Sequence, residues 1–156
     1  MQLVLLIGLP GAGKTTFFRE RFAETHAHVS KDNFPNHRRP AKRQRFLLDE
    51  ALGQGHDVVL DNTNASPEER AAAIALARDH DAEIVGYFFD LTPTESIERN
   101  ESRPASDRVP QVGIYATAKR LRLPQLEEGF HRLYTVHACD GEFHVTEISS
   151  HNRPEE

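Results

Sequence analysis

Residues 3–16 read Leu-Val-Leu-Leu-Ile-Gly-Leu-Pro-Gly-Ala-Gly-Lys-Thr-Thr. Five apolar residues run into a glycine, and the spacing Gly8-x4-Gly13-Lys14-Thr15 follows at once. A buried strand, a glycine-rich turn and a helix start in that order are what a phosphate-cradling loop requires. The turn's backbone N–H groups converge on an anion. The helix beginning near Lys14 aims its positive dipole end at the same place. The stretch Gly8, Pro10, Gly11, Ala12, Gly13, Lys14, Thr15 and Thr16 is therefore the candidate nucleotide cradle. Lys14 is expected to reach the β- and γ-phosphates, and the Thr15 hydroxyl to ligate Mg²⁺. A nucleoside triphosphate, ATP, is the expected cofactor.

Strand and helix patterns alternate on both sides of this loop. Apolar runs at 3–7, 58–60 and 84–89 read as strands, and 27–30 as a further short strand. Helices are expected at 14–24, 42–54 and 109–120 from their apolar spacing. Ser66-Pro67-Glu68-Glu69 and Thr92-Pro93-Thr94-Glu95 each combine a cap with proline at the first helical position. They predict helices to about residue 79 and to residues 99–101. Late strands at 133–137 and 143–148 flank the turn Asp140-Gly141. The alternation predicts a mainly parallel sheet with helices on both faces, a three-layer α/β/α sandwich, and together with the phosphate loop the expected fold class is a P-loop NTPase of the kinase type with a helical lid. One domain over 1–148 is expected, followed by a polar tail at 149–156.

The 156 residues are 38% apolar and 28% charged, a folded and soluble composition. Cys139 is the single cysteine, which suits a reducing compartment and no internal disulfide. The apolar N-terminal run lacks a basic leader, and no run approaches membrane-spanning length. A cytoplasmic protein without membrane contact is the expectation. Net charge is −5, yet Arg38, Arg39, Lys42, Arg43 and Arg45 place five cations within eight residues. A basic cluster on an acidic body points to a local polyanion site, against the alternative of a solvated helix face.

Ligands of such sheets bind outside the carboxyl ends of the strands. Two strand ends other than the cradle carry acids there, in Ser30-Lys31-Asp32-Asn33 and Asp61-Asn62-Thr63-Asn64. Phosphoryl transfer to a hydroxyl needs a carboxylate beside the attacking oxygen, and Asp32 is the candidate general base. Asp61 occupies the position of a Walker-B-type acid, with metal or substrate positioning and scaffolding both open. Asn62 and Asn64 are candidate substrate contacts, as are Arg38 and Arg39 beside the acceptor entry. Arg99 and Arg103, four residues apart before Pro104, are candidate clamps on the triphosphate if they share a helical face. No spacing among the nine histidines supports a metal cage.

From Met1 to about Phe130 the sequence resembles the polynucleotide 5′-hydroxyl kinases of nucleic-acid end-healing enzymes. The resemblance rests on Lys31-Asp32, Leu60-Asp61-Asn62-Thr63-Asn64, Arg99-Asn100 with Arg103, Val109-Pro110 and Glu128-Gly129-Phe130. The Asp-Asn-Thr-Asn segment with its following long helix resembles the animal repair kinases especially. The resemblance implies a general base at Asp32, a lid arginine at Arg103, and the loop lysine and hydroxyl at Lys14 and Thr15. It implies DNA or RNA 5′-OH ends as acceptors. The phage enzyme has an arginine three residues past the base, where this chain has Pro35. No Asp-x-Asp-Gly-Thr motif occurs, so 3′-phosphatase activity is not expected. Two other chemistries fit the same loop. One is a kinase of a small hydroxylated metabolite or antibiotic, and the other a nucleotide-binding switch without fast transfer.

Overall fold

The computed structural model describes residues 1–148. The tail expected at 149–156 lies outside the described residues. β1 (Gln2–Ile7) has five consecutive fully buried residues, because it runs through the middle of a sheet covered on both faces. Its neighbours are β3 (Val58–Asp61) and β4 (Glu83–Phe89), both parallel to it. β2 (Ala27–Val29) extends the sheet beyond β3, and β5 (Arg132–Cys139) and β6 (Glu142–Glu147) extend it beyond β4, giving the order β2-β3-β1-β4-β5-β6. Only β6 is antiparallel, joined to β5 through Asp140 and Gly141, both at positive φ as a tight hairpin demands.

Strand alternation sorts β1 between two cores. Leu3, Leu5 and Ile7 pack with Leu48 and Leu52 of α2 (Pro40–Gly53) and with Ile74 and Ala77 of α3 (Pro67–Asp79). Val4 and Leu6 pack on the other face with Phe17 and Phe18 of α1 (Lys14–Arg21). The result is the expected three-layer arrangement around a mainly parallel sheet. At Gly86 of β4 a Cβ would sit 2.6 Å from Leu133 of β5 and 2.8 Å from the Phe130 ring, so only glycine lets Phe130 close over the strand.

The caps behave as written in the sequence. Ser66 Oγ accepts from Glu69 N–H, and Thr92 Oγ1 accepts from Glu95 N–H at the start of α4 (Pro93–Glu101). Helix ends without such signals differ from expectation. α1 stops at Arg21 instead of 24, because Phe22 leaves the helix to set its ring against Phe17 and Tyr87, both 5.8 Å away. α2 starts two residues earlier than expected, with Pro40 in the first turn. α5 (Gln111–Arg120) starts two residues later, after Pro110. Among the described residues no helix is long and apolar enough to cross a membrane.

Candidate active site

The cradle is held from two sides before any ligand arrives. Gly8 N–H donates to the Thr63 carbonyl at 3.0 Å, and Ser96 Oγ of α4 donates to the Pro10 carbonyl. Gly11 and Gly13 sit at φ 79° and 92°, which lets successive N–H groups turn inward. Gly8 has no room for a Cβ, which would meet Phe89 Cβ at 3.0 Å. Lys14 is buried and its Nζ donates to the Gly8 and Leu9 carbonyls at 2.7 and 2.8 Å. Burial lowers its pKa from 10.5 to about 8, Asp61 and Asp32 pulling up and Arg103 pushing down.

At the end of β3, the buried Asp61 carboxylate accepts from two groups. Thr15 Oγ1 and His28 Nε2 both reach its Oδ2 at 2.8 Å. A carboxylate has no proton to give, so the bond requires His28 to carry its hydrogen on Nε2. The His28 ring is stacked on Phe18 with centroids 4.2 Å apart, which fixes its plane. Thr15 and Asp61 together present hard oxygen donors of the kind Mg²⁺ takes.

On the opposite bank, Ser30 caps a short 3₁₀ turn, Lys31–Asn33, by accepting from Asp32 N–H at 3.2 Å. Asn62 braces this turn. Its Oδ1 accepts from Lys31 N–H at 3.1 Å, and its Nδ2 donates to Gln44 Oε1 of α2 at 2.6 Å. Asp32 itself is exposed and lines a cleft of about 420 Å³ together with Lys14, Thr15, Asp61, Asn62 and Arg103. The third side is the lid segment. Asn100 Oδ1 accepts from Val109 N–H at 2.8 Å, and its Nδ2 donates to the Val109 carbonyl at 2.6 Å. That clip fixes the chain between α4 and α5, so that Val109, Gly113 and Thr117 face the cleft.

Several expected placements need correction. Gly8 is behind the cradle, its N–H engaged by Thr63, and it does not line the cleft. Arg99 and Arg103 share no helical face, because α4 ends at Glu101. Arg103 lines the cleft, whereas Arg99 stays on α4 with Nη1 3.5 Å from the Gly11 carbonyl. Asn64 is no acceptor contact. It is buried at φ 45°, and its Nδ2 donates to the Leu6 and Leu60 carbonyls at 2.7 and 3.3 Å, stitching the ends of β1 and β3. Asn62 lines the cleft with its amide engaged in bracing. Arg38 and Arg39 are exposed and lie outside the cleft lining. Pro10, Gly11, Ala12, Gly13, Lys14, Thr15 and Thr16 all line it.

Two contributors carry little signal in the sequence. His28 resembles one more scattered histidine, although its place one residue before the end of β2, opposite Val59, is a usable signal. Arg70 gives no signal beyond a charge in α3. It is fully buried, its guanidinium paired with both Glu128 oxygens at 2.9 and 3.1 Å. Its Nη1 also donates to the Asn64, Ala65 and Arg122 carbonyls. One side chain thereby ties the loop after β3 to the segment leaving α5.

The buried β1 feeding a glycine nest, beside two acid-bearing strand ends and beneath a lid segment, defines the class: a P-loop nucleotide-binding fold of the kinase type. Within that class, residues 3–124 match the AAA domain family, and the chain belongs to it. It is 27% identical over 145 residues to the provisionally named bifunctional polynucleotide phosphatase/kinase of Acanthamoeba polyphaga mimivirus, covering 86% of this chain and 33% of that protein. It is 25% identical over 135 residues to the bifunctional polynucleotide phosphatase/kinase of Schizosaccharomyces pombe, covering 83% and 32%. The chain thus spans about a third of the length of these curated relatives. Among solved structures, Chaetomium thermophilum Kti12 in complex with ADP-AlF3 superposes with a TM-score of 0.65 at 18% identity, over 86% of this chain and 88% of that one. That likeness concerns the fold.

Proposed function

We propose that this chain transfers the γ-phosphate of ATP to the 5′-hydroxyl end of DNA or RNA, with Asp32 as general base. The supporting observation is the shared cleft. The nest, Lys14 and Arg103 face one space with the exposed carboxylate of Asp32, carried on a turn whose backbone is braced by Ser30 and Asn62. In this reading Asp32 accepts the proton of the acceptor hydroxyl as its oxygen bonds to the γ-phosphorus. The bond from that phosphorus to the β–γ bridging oxygen breaks, and ADP leaves. Lys14 and Arg103 offset the negative charge on the transferring group. Thr15 and Asp61 are the residues that would hold Mg²⁺, which when bound neutralises charge on the β- and γ-phosphates.

The relatives named polynucleotide phosphatase/kinase support this acceptor class over a small alcohol. A panel assay of labelled-phosphate transfer, with single- and double-stranded 5′-OH oligonucleotides beside sugar and nucleoside alcohols, tests it. Oligonucleotides are expected to be the preferred acceptors. Faster transfer to a small alcohol overturns the acceptor class, and no transfer to any acceptor overturns the enzyme reading. Asp32→Ala is expected to lower kcat by about 10²–10⁴-fold with ATP affinity retained. Normal turnover in that variant removes Asp32 as the base.

A further inference from the structure

β3 lies between β1 and β2, so the residues at its carboxyl end border both banks of the cleft. Asp61 is paired with Leu6 of β1, and Leu60 with Val29 of β2. Asp61 accepts from Thr15 at the start of α1. Asn62, the next residue, reaches the turn that carries Asp32. Its Oδ1 accepts from Lys31 N–H at 3.1 Å, and its Nδ2 donates to Gln44 Oε1 of α2 at 2.6 Å. The amide has one workable orientation, since the reverse sets its NH₂ against the Lys31 N–H.

The loop after β3 is held without these two bonds. Asn64 anchors it to the Leu6 and Leu60 carbonyls, and the Thr63 carbonyl takes the Gly8 N–H. What Asn62 holds is the short 3₁₀ turn Lys31–Asn33. The first N–H groups of such a turn have no partner within it. Ser30 Oγ takes that of Asp32, and Asn62 Oδ1 takes that of Lys31. One tie is local and the other crosses to the neighbouring strand end. Asp32 is exposed and forms no ion pair among the described residues, so its carboxylate goes where the turn puts it.

We infer that Asn62 and Gln44 are positioning residues for Asp32. The chain from Gln44 through Asn62 to the Lys31 N–H fixes the turn, and with it the general base, against the strand end that also carries Asp61. This rests on the transfer reading above, through Asp32 as base, and holds for whichever alcohol accepts. A base must lie within hydrogen-bond reach of the attacking hydroxyl while that oxygen faces the phosphorus. A misplacement of about 1 Å costs on the order of 10²-fold in rate. Because Asp61 and Asn62 are consecutive, one strand end is the common reference for Thr15 on one bank and the Asp32 turn on the other.

Gln44 is half-buried and lies outside the cleft lining, so its replacement disturbs Asp32 without touching a ligand. With the alcohol that the unaltered protein phosphorylates fastest, Asn62→Ala is expected to lower kcat by about 10–100-fold and Gln44→Ala by about 3–10-fold, with KM for ATP within about 2-fold. Gln44→Glu still accepts from Asn62 Nδ2 and is expected to recover kcat. In an Asp32→Ala background both alanine substitutions are expected to lose their effect, because the group they position is gone. Apart from turnover, amide hydrogen exchange at Lys31 is expected to quicken at least about ten-fold in Asn62→Ala, with the core strands unchanged. Parent-like kcat in either alanine variant, an equal loss with Asp32 absent, no recovery in Gln44→Glu, or unchanged exchange at Lys31 each overturns the relay while the transfer reading stands. Normal turnover in Asp32→Ala, or transfer to no alcohol at all, overturns the base assignment, and the relay falls with it.

Discussion

Lys14 and Asp61 on one bank of the cleft are buried and paired, whereas Asp32 on the other bank is exposed and has no ion pair among the described residues. Lys14, Asp61 and Asn64 are buried, and each is hydrogen-bonded within the protein. Across the cleft Asp32 stands in solvent, as do the five cations that follow it in the chain outside the cleft lining. Buried polar groups are costly unless partnered, so the donor bank is set before ATP arrives. In the proposed reading the partner of Asp32 is the acceptor hydroxyl. The five like charges after Asp32 are near one another in sequence, tolerable in solvent where screening is strong.

The sharpest way to break this contrast is to remove a buried partner. Arg70→Met strands Glu128 and three backbone carbonyls, and a loss of about 3–5 kcal/mol in urea unfolding is expected. Arg38→Met, on the exposed bank, should change stability by no more than about 0.5 kcal/mol. Equal effects would erase the distinction between the banks.

His28→Ala tests whether the donor bank depends on the support of Asp61 and not on Asp61 alone. With its support gone, kcat is expected to fall about 10–100-fold and the Mg²⁺ concentration for half-maximal rate to rise. His28→Gln, which keeps an N–H donor, should recover part of both, while the urea midpoint stays near that of the parent. A loss of stability without a shift in Mg²⁺ requirement would make His28 a packing residue.

Neutralising Arg38, Arg39, Lys42, Arg43 and Arg45 sharpens the other side. The dependence of oligonucleotide KM on salt should flatten, by about 0.7 in log–log slope for each phosphate that no longer meets a cation. An unchanged slope would return the run to a solvated helix face.

The smallest effect concerns Lys14. Its folded pKa is about 8 against 10.5 for the free group. Between those values the unfolded chain holds more protons, so stability rises with pH across that window. The penalty for the buried ammonium is present in full below about pH 8. A polyphosphate beside Lys14 favours its charged form, so ATP binding above about pH 8 should take up a proton and weaken as pH rises. Calorimetry at about pH 9, between the two values, in buffers of different ionisation enthalpy measures the uptake, which should be absent in Lys14→Met.

Much of this is legible without the structure. The cradle and Asp61 can be found because each closes a buried apolar run, and Asp32 because it follows a short strand, since strand ends of a parallel sheet converge on one edge. The capping motifs at Ser66 and Thr92 mark helix starts, since a short side chain beside the last extended residue has few other uses. Asn64, Arg99 and His28 resist such reading for a common reason. Their roles depend on partners 58, 88 and 33 residues away, at Leu6, Gly11 and Asp61.

Local chemistry is written in short stretches of chain, so the sequence alone determined the alternating elements, the phosphate nest, the two strand-end acids and the basic run. Strand order, the placement of Arg103 without Arg99, and the assignment of Asn64 and Arg70 to scaffolding were decided only by the tertiary structure. Those properties belong to pairs of groups brought together by burial, and a polar side chain shows which partner it has taken only once the surrounding layers have closed.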